Sequence, residues 1–207
     1  MMNQDSFNAM SIQPLRVKLR EATGLAILDA AEQVAAEAGL PSASLQAIAE
    51  RAGVAVGTIY NYFPDRQELF AALFKRRREE LSAVIDETAK KHAKEPFADQ
   101  LEAFVNGVFT HFDQHRSYLR LALDSHPVVS EDEGKKRPAM QQLQERAERI
   151  LRVGVREKQL RDVEVELLAT VLVSIVRGVL LMRAHRDEPF APKTARVVSL
   201  FLDGAAK

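Results

Sequence analysis

Residues 163–182 read VEVELLATVLVSIVRGVLLM, a run that is apolar on almost every side when wound as a helix. A helix of that kind has to be covered over most of its surface, by lipid or by protein. Glu164, Glu166 and Arg177 argue against lipid, and no second stretch resembles a membrane span. The run therefore predicts a helix enclosed by other helices in a globular assembly. Ser174 and Gly178 lie four apart, one turn, where another backbone would be able to approach closely.

The rest of the chain carries the same period. Leu25, Leu28, Ala31, Ala35 and Ala38 recur every three or four residues, and Gly39 and Pro41 close that stripe. A short helix is predicted from Leu45 to Ala52, capped by Ser44 and ended by Gly53. A third is predicted over Val56–Tyr62, stopped by Pro64. Asp65 opens a fourth, with Glu68 placed for a capping box. In it Lys75 and Arg76 each have a glutamate four residues on, which reads as a salt-bridged surface. Further helical faces are Phe97–Phe112, Tyr118–Leu123, Met140–Leu151 and 192–202, and residues 126–138 read as a loop. No strand-like alternation is long enough to predict a sheet.

Composition narrows the functions. Apolar residues make up 46% of the 207, enough for a real core. Cysteine is absent, which excludes disulfides and thiolate chemistry. The first ten residues lack a signal peptide's basic start and apolar run, so a cytoplasmic protein is expected. The net charge of zero gives no bias toward nucleic acid, but Arg16, Lys18 and Arg20 cluster where a basic arm before the first helix would lie.

Two short helices joined by a glycine-bearing turn make the helix-turn-helix layout, whose second helix enters the DNA major groove. The stretch SLQAIAERAGVAVGTIYNYFPDRQELF (44–70), with ILDAAEQVAAEAG (27–39) before it, resembles the DNA-binding domain of the TetR family of bacterial repressors. The resemblance covers roughly 17–77, with the helix-turn-helix proper at about 44–63. It implies an all-α protein, with an N-terminal three-helix DNA-binding domain and a larger helical ligand-binding and dimerisation domain over 78–207. It implies a repressor that binds a palindromic operator as a homodimer and answers to a small-molecule effector, with no catalysis, cofactor or membrane.

The residue chemistry stands beside that resemblance. Thr58, Tyr60 and Tyr62 can donate hydroxyl hydrogen bonds to phosphate, and Gly57 permits close approach of phosphate backbone or of another helix. Asn61 can make two hydrogen bonds to an adenine edge, and Val56 can touch a thymine methyl. Ile59 and Phe63 would face inward. The resemblance places Arg66 at a phosphate-contacting position and Ser44 as both cap and phosphate ligand. Ala55 stands where the family often has serine, Ala47 removes a capping box, and Val54–Phe63 holds no Lys or Arg. Guanine readout from that helix is thus not expected, and an A/T-leaning half-site is.

In the second half, 163–182 and 192–202 are the expected homodimer surface. Phe104, Phe109 and Phe112, with Tyr118, Leu121 and Met140, read equally as a ligand cavity wall and as ordinary core. Arg177, a cation in an apolar helix, would pair with a glutamate, meet an anionic ligand, or reach solvent. His111 and His115 have metal-compatible spacing, but Phe112 follows the first histidine where the zinc-protease pattern has glutamate, so no metal is expected. Two other readings remain, a helical protein-interaction module and a small helical enzyme. No phosphate loop, nucleophile elbow or spaced acid pair recommends the enzyme.

Overall fold

The computed structural model describes the backbone of residues 4–124, 139–161, 164–186 and 188–205, with side chains over 15–123, 141–161, 164–186 and 188–204. Every regular element among them is helical: α1 (Gln4–Ala38), α2 (Leu45–Ala52), α3 (Val56–Tyr60), α4 (Arg66–Lys91), α5 (Phe97–Gln114), α6 (Arg116–Asp124), α7 (Ala139–Arg156), α8 (Val165–Arg183) and α9 (Thr194–Ala205), with short 3₁₀ turns at Leu40–Ser42 and Ala191–Lys193. Two compact units divide within α4, after Phe74.

In the first unit the stripe of α1 buries Ile27, Ala31, Val34 and Ala35 against Ile48 and Ala49 of α2, and Leu69, Leu73 and Phe74 of α4 are buried with them. The chain turns after α1 because Gly39 takes φ 81°, a left-handed angle that costs glycine nothing. Ser44 Oγ then accepts the amide of Ala47 at 3.1 Å and starts α2. Gly53, at φ 68°, ends it. Arg51 of α2 reaches back to Glu37 of α1 with two bonds of 2.9 and 2.7 Å.

Two expectations change here. The basic residues Arg16, Lys18 and Arg20 do not form an arm ahead of the first helix; they lie exposed on α1 itself, which extends back to Gln4. The segment LRVKLREA around them is made of good helix formers, so nothing stops the helix there. The third helix is also two residues shorter than its pattern. The amides of Tyr62 and Phe63 both go to the Ile59 carbonyl at 2.9 Å, so the chain tightens into a turn at Asn61 ahead of Pro64.

In the second unit α7 packs along α8, and α5 packs against α7 and α9. Phe97, Leu101, Phe109, Leu151, Leu172 and Phe190 are fully enclosed. Asp113, near the end of α5, accepts the amides of Phe190 and Ala191 at 2.8–2.9 Å and also holds Arg116 at 2.7 Å. Arg116 in turn donates to the carbonyls of Arg186 and Glu188 and lies over the ring of Phe190. The α8–α9 connection is thereby tied to the α5–α6 corner.

Within one chain α8 is not enclosed as its composition predicts. Leu168, Leu172, Val176 and Leu180 are buried, but the opposite side shows Leu167 at 57% and Met182 at 79% exposure, with Val171 and Leu181 also open. By length and hydropathy alone α8 would also cross a bilayer.

Candidate nucleic-acid interface

Only one residue anchors α3. Ile59 is fully buried, and the rest of the helix lies at or near the surface. Tyr60 is 53% exposed, and Gly57 and Asn61 are exposed beside it. Val56 and Thr58 are half-buried flanks. A Cβ built on Gly57 meets no atom within 4 Å, so this glycine does not serve helix packing inside the protein. What it leaves open is room for something outside. No side chain caps the start of α3 at Ala55, as its lack of a hydroxyl requires.

Tyr62 has a different setting. Its ring lies against α1, where a Cβ on Gly24 would touch it at 3.4 Å, and the Arg20 guanidinium sits 5.7 Å from the ring centre. The fold thus brings Arg20 next to Tyr62, while Arg16 and Lys18 lie further along the exposed part of α1. An aromatic face with a guanidinium over it is a rigid arrangement for two phosphate-seeking groups.

Arg66 turns inward. Its Nε donates to the Ala43 carbonyl at 2.8 Å, its Nη2 donates to the Leu40 carbonyl, and its guanidinium lies over Phe70. Two of its three nitrogens thus close the turn that leads into Ser44, which is not the bidentate phosphate grip expected from sequence. The physical reason is that the Leu40–Ser42 turn leaves carbonyls without helical partners, and a nearby planar fork satisfies two at once. Sequence gave no signal for it, because the partners lie 23 and 26 residues away.

The residues expected at an effector site fall into separate places. Phe104 and Phe109 belong to the core of the second unit, and Tyr118 and Leu121 are buried. Phe112 stacks on Tyr118, with ring centres 6.2 Å apart and planes 6° apart. The side chain of Met140 and the loop 126–138 lie outside the described residues. Arg177 faces outward and does not join the aromatic group. Its neighbour Val176 is in the core, and one residue along a helix turns the side chain by about 100°.

His111 is 2% exposed, and its Nε2 has no hydrogen-bond partner. Burial, with the charge of His115 beside it, pushes its pKa down to about 4 despite the opposing pull of Glu80. The two imidazole rings stand 4.8 Å apart, and His115 Nε2 is 3.7 Å from Glu80. Among the described residues no three His, Asp or Glu side chains are grouped to hold a metal ion. The run Lys75–Arg78 is salt-bridged: Lys75 pairs with Glu79, and Arg76 and Arg77 both pair with Glu80 at 2.8 Å.

Residues 27–73 match the family described as bacterial regulatory proteins, tetR family. Over 63 residues the chain is 41% identical to the HTH-type transcriptional repressor KstR of Mycolicibacterium smegmatis, covering 30% of this chain and 31% of that protein. Over 67 residues it is 39% identical to the fatty acid metabolism regulator protein of Bacillus subtilis, covering 32% of this chain and 34% of that one. The chain thus spans about a third of the length of these relatives. Among solved structures, PfmR of Thermus thermophilus aligns with TM-score 0.72 and 18% identity over 87% of this chain and 99% of that one. FadR of Bacillus subtilis in complex with stearoyl-CoA aligns with TM-score 0.71 and 19% identity over 87% and 98%. At those identities the likeness is one of fold.

Proposed function

Because the chain belongs, through the domain at residues 27–73, to the TetR family of bacterial regulatory proteins, we propose that it is a cytoplasmic transcriptional repressor. In this reading it binds a palindromic operator as a homodimer and is released or retained by a small molecule held in the second unit.

The observation that carries the reading is the state of α3. The helix is held by Ile59 alone and shows Gly57, Tyr60 and Asn61 to solvent. A five-residue helix with a bare glycine on its outer side has the shape that entry into a major groove requires. Val56 and Thr58 flank it for methyl and phosphate contact, and Tyr62 and Arg20 stand beside it for phosphate. Ser44 has its oxygen engaged as a cap, which leaves its other lone pair and its proton for a phosphate contact. The second copy needed for a palindrome would use the open side of α8, where Leu167, Val171, Ser174, Gly178 and Leu181 recur every three or four residues, together with Leu200 of α9. Gly178 has open space where a Cβ would go, which suits a close crossing of two helices.

The solved relative from Bacillus subtilis holds stearoyl-CoA, and on that likeness we take the effector to be an acyl compound. No catalytic step and no cofactor belong to this reading.

Selection of bound sequences from random duplex DNA with the purified chain tests it. Recovery of a palindrome supports the repressor, and binding to it falls steeply with salt because phosphate contacts release counterions. A protein-interaction module would recover no sequence and show no shift with any duplex at low salt.

A further inference from the structure

The second unit contains an open groove of about 880 Å³ between α4, α5 and α7, away from the aromatic core. That volume lies within the roughly 300–1,000 Å³ of small-molecule sites. Ile85, Ala89 and Ile150 give it an apolar floor, and Lys90, Arg146 and Arg149 stand around it.

The cations are unequal. Arg146 of α7 holds Asp86 of α4 through Nε at 2.8 Å and Nη2 at 2.7 Å, and reaches Ser82 Oγ at 2.5 Å. That parallel pair is the strong geometry for a guanidinium and a carboxylate. Lys90 and Arg149 make no hydrogen bond or ion pair among the described residues, yet both charges act on Asp86. Three cations face two carboxylates, Asp86 and Glu145, so the lining holds one positive charge in excess. An apolar floor beside uncompensated cations matches a molecule with a long apolar chain and an anionic end.

We infer that this groove binds such an amphiphilic anion, with Lys90 and Arg149 reading its charge and Asp86 competing with it for Arg146. The inference rests on the effector-controlled reading above and adds the place and chemistry of the effector. The chain lies over Ile85, Ala89 and Ile150. The anionic group enters between the two free cations and approaches Arg146 from the solvent side. Asp86 opposes it, because a second negative charge at the same guanidinium is repelled by the first. The anionic group comes either from a free carboxylate or from the phosphates of an acyl-nucleotide thioester.

Calorimetric titration of the full chain with palmitate, palmitoyl-CoA and uncharged hexadecanol, each below its aggregation limit, tests the inference. At least one of the two anions is expected to bind roughly tenfold or more tighter than hexadecanol, a gap of about 1.4 kcal/mol per tenfold. Binding of palmitate alone identifies a carboxylate site, and binding of palmitoyl-CoA alone identifies a phosphate site. In the double variant Lys90→Glu, Arg149→Glu the anion affinity falls by roughly tenfold or more, whereas in Asp86→Asn it rises several-fold, because a competitor for Arg146 is gone. The two changes are on exposed or partly exposed groups, and circular dichroism melting of each variant verifies that it is folded. Equal binding of hexadecanol, no binding of either anion, or indifference to both variants overturns the site. A chain that recovers a palindrome from random DNA but binds neither anion refutes the groove and leaves the regulator. A chain that binds the anions as described but recovers no DNA refutes the regulator and leaves the groove.

Discussion

Gly154 lies directly on the ring of Phe97: a Cβ at position 154 would sit 2.7 Å from Cζ. Phe97 is fully buried at the start of α5, and Gly154 is in the last turns of α7, so this contact sets how closely the two helices approach. Gly154→Ala replaces that contact with an overlap that no rotation of an enclosed ring relieves. It is expected to destabilise the chain by about 1–3 kcal/mol through overpacking, even though alanine favours helix. A lower urea midpoint with an unchanged slope is the signature to measure.

Arg66 is expected to act first on stability. Arg66→Ala leaves the carbonyls of Leu40 and Ala43 without their donor, at a cost of about 1–3 kcal/mol. Arg66→Lys keeps the charge but not the fork, and recovers only part of the loss. Chemical denaturation of the three proteins gives the order. If Arg66→Ala melts like the parent, the clamp is not what holds the turn.

The depressed pKa of His111 has a sign that solution experiments can read. The unfolded imidazole takes a proton near pH 6.5, and the folded one only near pH 4. Between those values the unfolded state binds more protons. The contribution is therefore complete above pH 6.5 and is lost as pH falls toward 4, at no more than about 1.4 kcal/mol per pH unit. In His111→Leu that acid limb flattens. Urea midpoints for both proteins from pH 7 to pH 4 measure the difference.

The apolar outer side of α8 is expected to hold a second copy. Leu167→Glu with Leu181→Glu changes two exposed residues, so each chain stays folded while the pair comes apart. Sedimentation velocity is expected to show the parent near twice the mass of the variant. A parent that sediments as a single chain would remove the proposed dimer.

At α3 the expected split is between choice and strength. Asn61→Ala relaxes preference at one base position at a cost of about 1–3 kcal/mol for the preferred site. Tyr62→Phe weakens all duplexes alike, because a phosphate contact carries no sequence. Binding measured across a panel of single-base operator variants separates the two. A uniform loss from the asparagine change contradicts its base-reading role.

The helices were legible from spacing and caps because those signals are local. Ser44, Gly53 and Asp65 each act within four residues of themselves, and each caps or ends its helix as the sequence predicts. Where the reading failed, the deciding partner lay far off in sequence. Arg66 is drawn to a turn 23 residues back, and Asp86 to an arginine 60 residues on. Nothing near Asp86 or Arg146 marks them as a pair. The groove they flank is a property of three helices together, so composition could not locate it. The apolar run that ends at Met182 had the opposite problem. Its chemistry was plain, but a periodic reading does not say whether the cover comes from the same chain.

Folding and surface chemistry rest on different residues in α3. Ile59 carries the attachment, and Val56, Gly57, Tyr60 and Asn61 contribute little to the interior. Changes at these outward positions can therefore accumulate without endangering the scaffold. A lineage built on this frame is free to exchange one target for another by rewriting a few side chains, while the machinery that presents them is inherited intact.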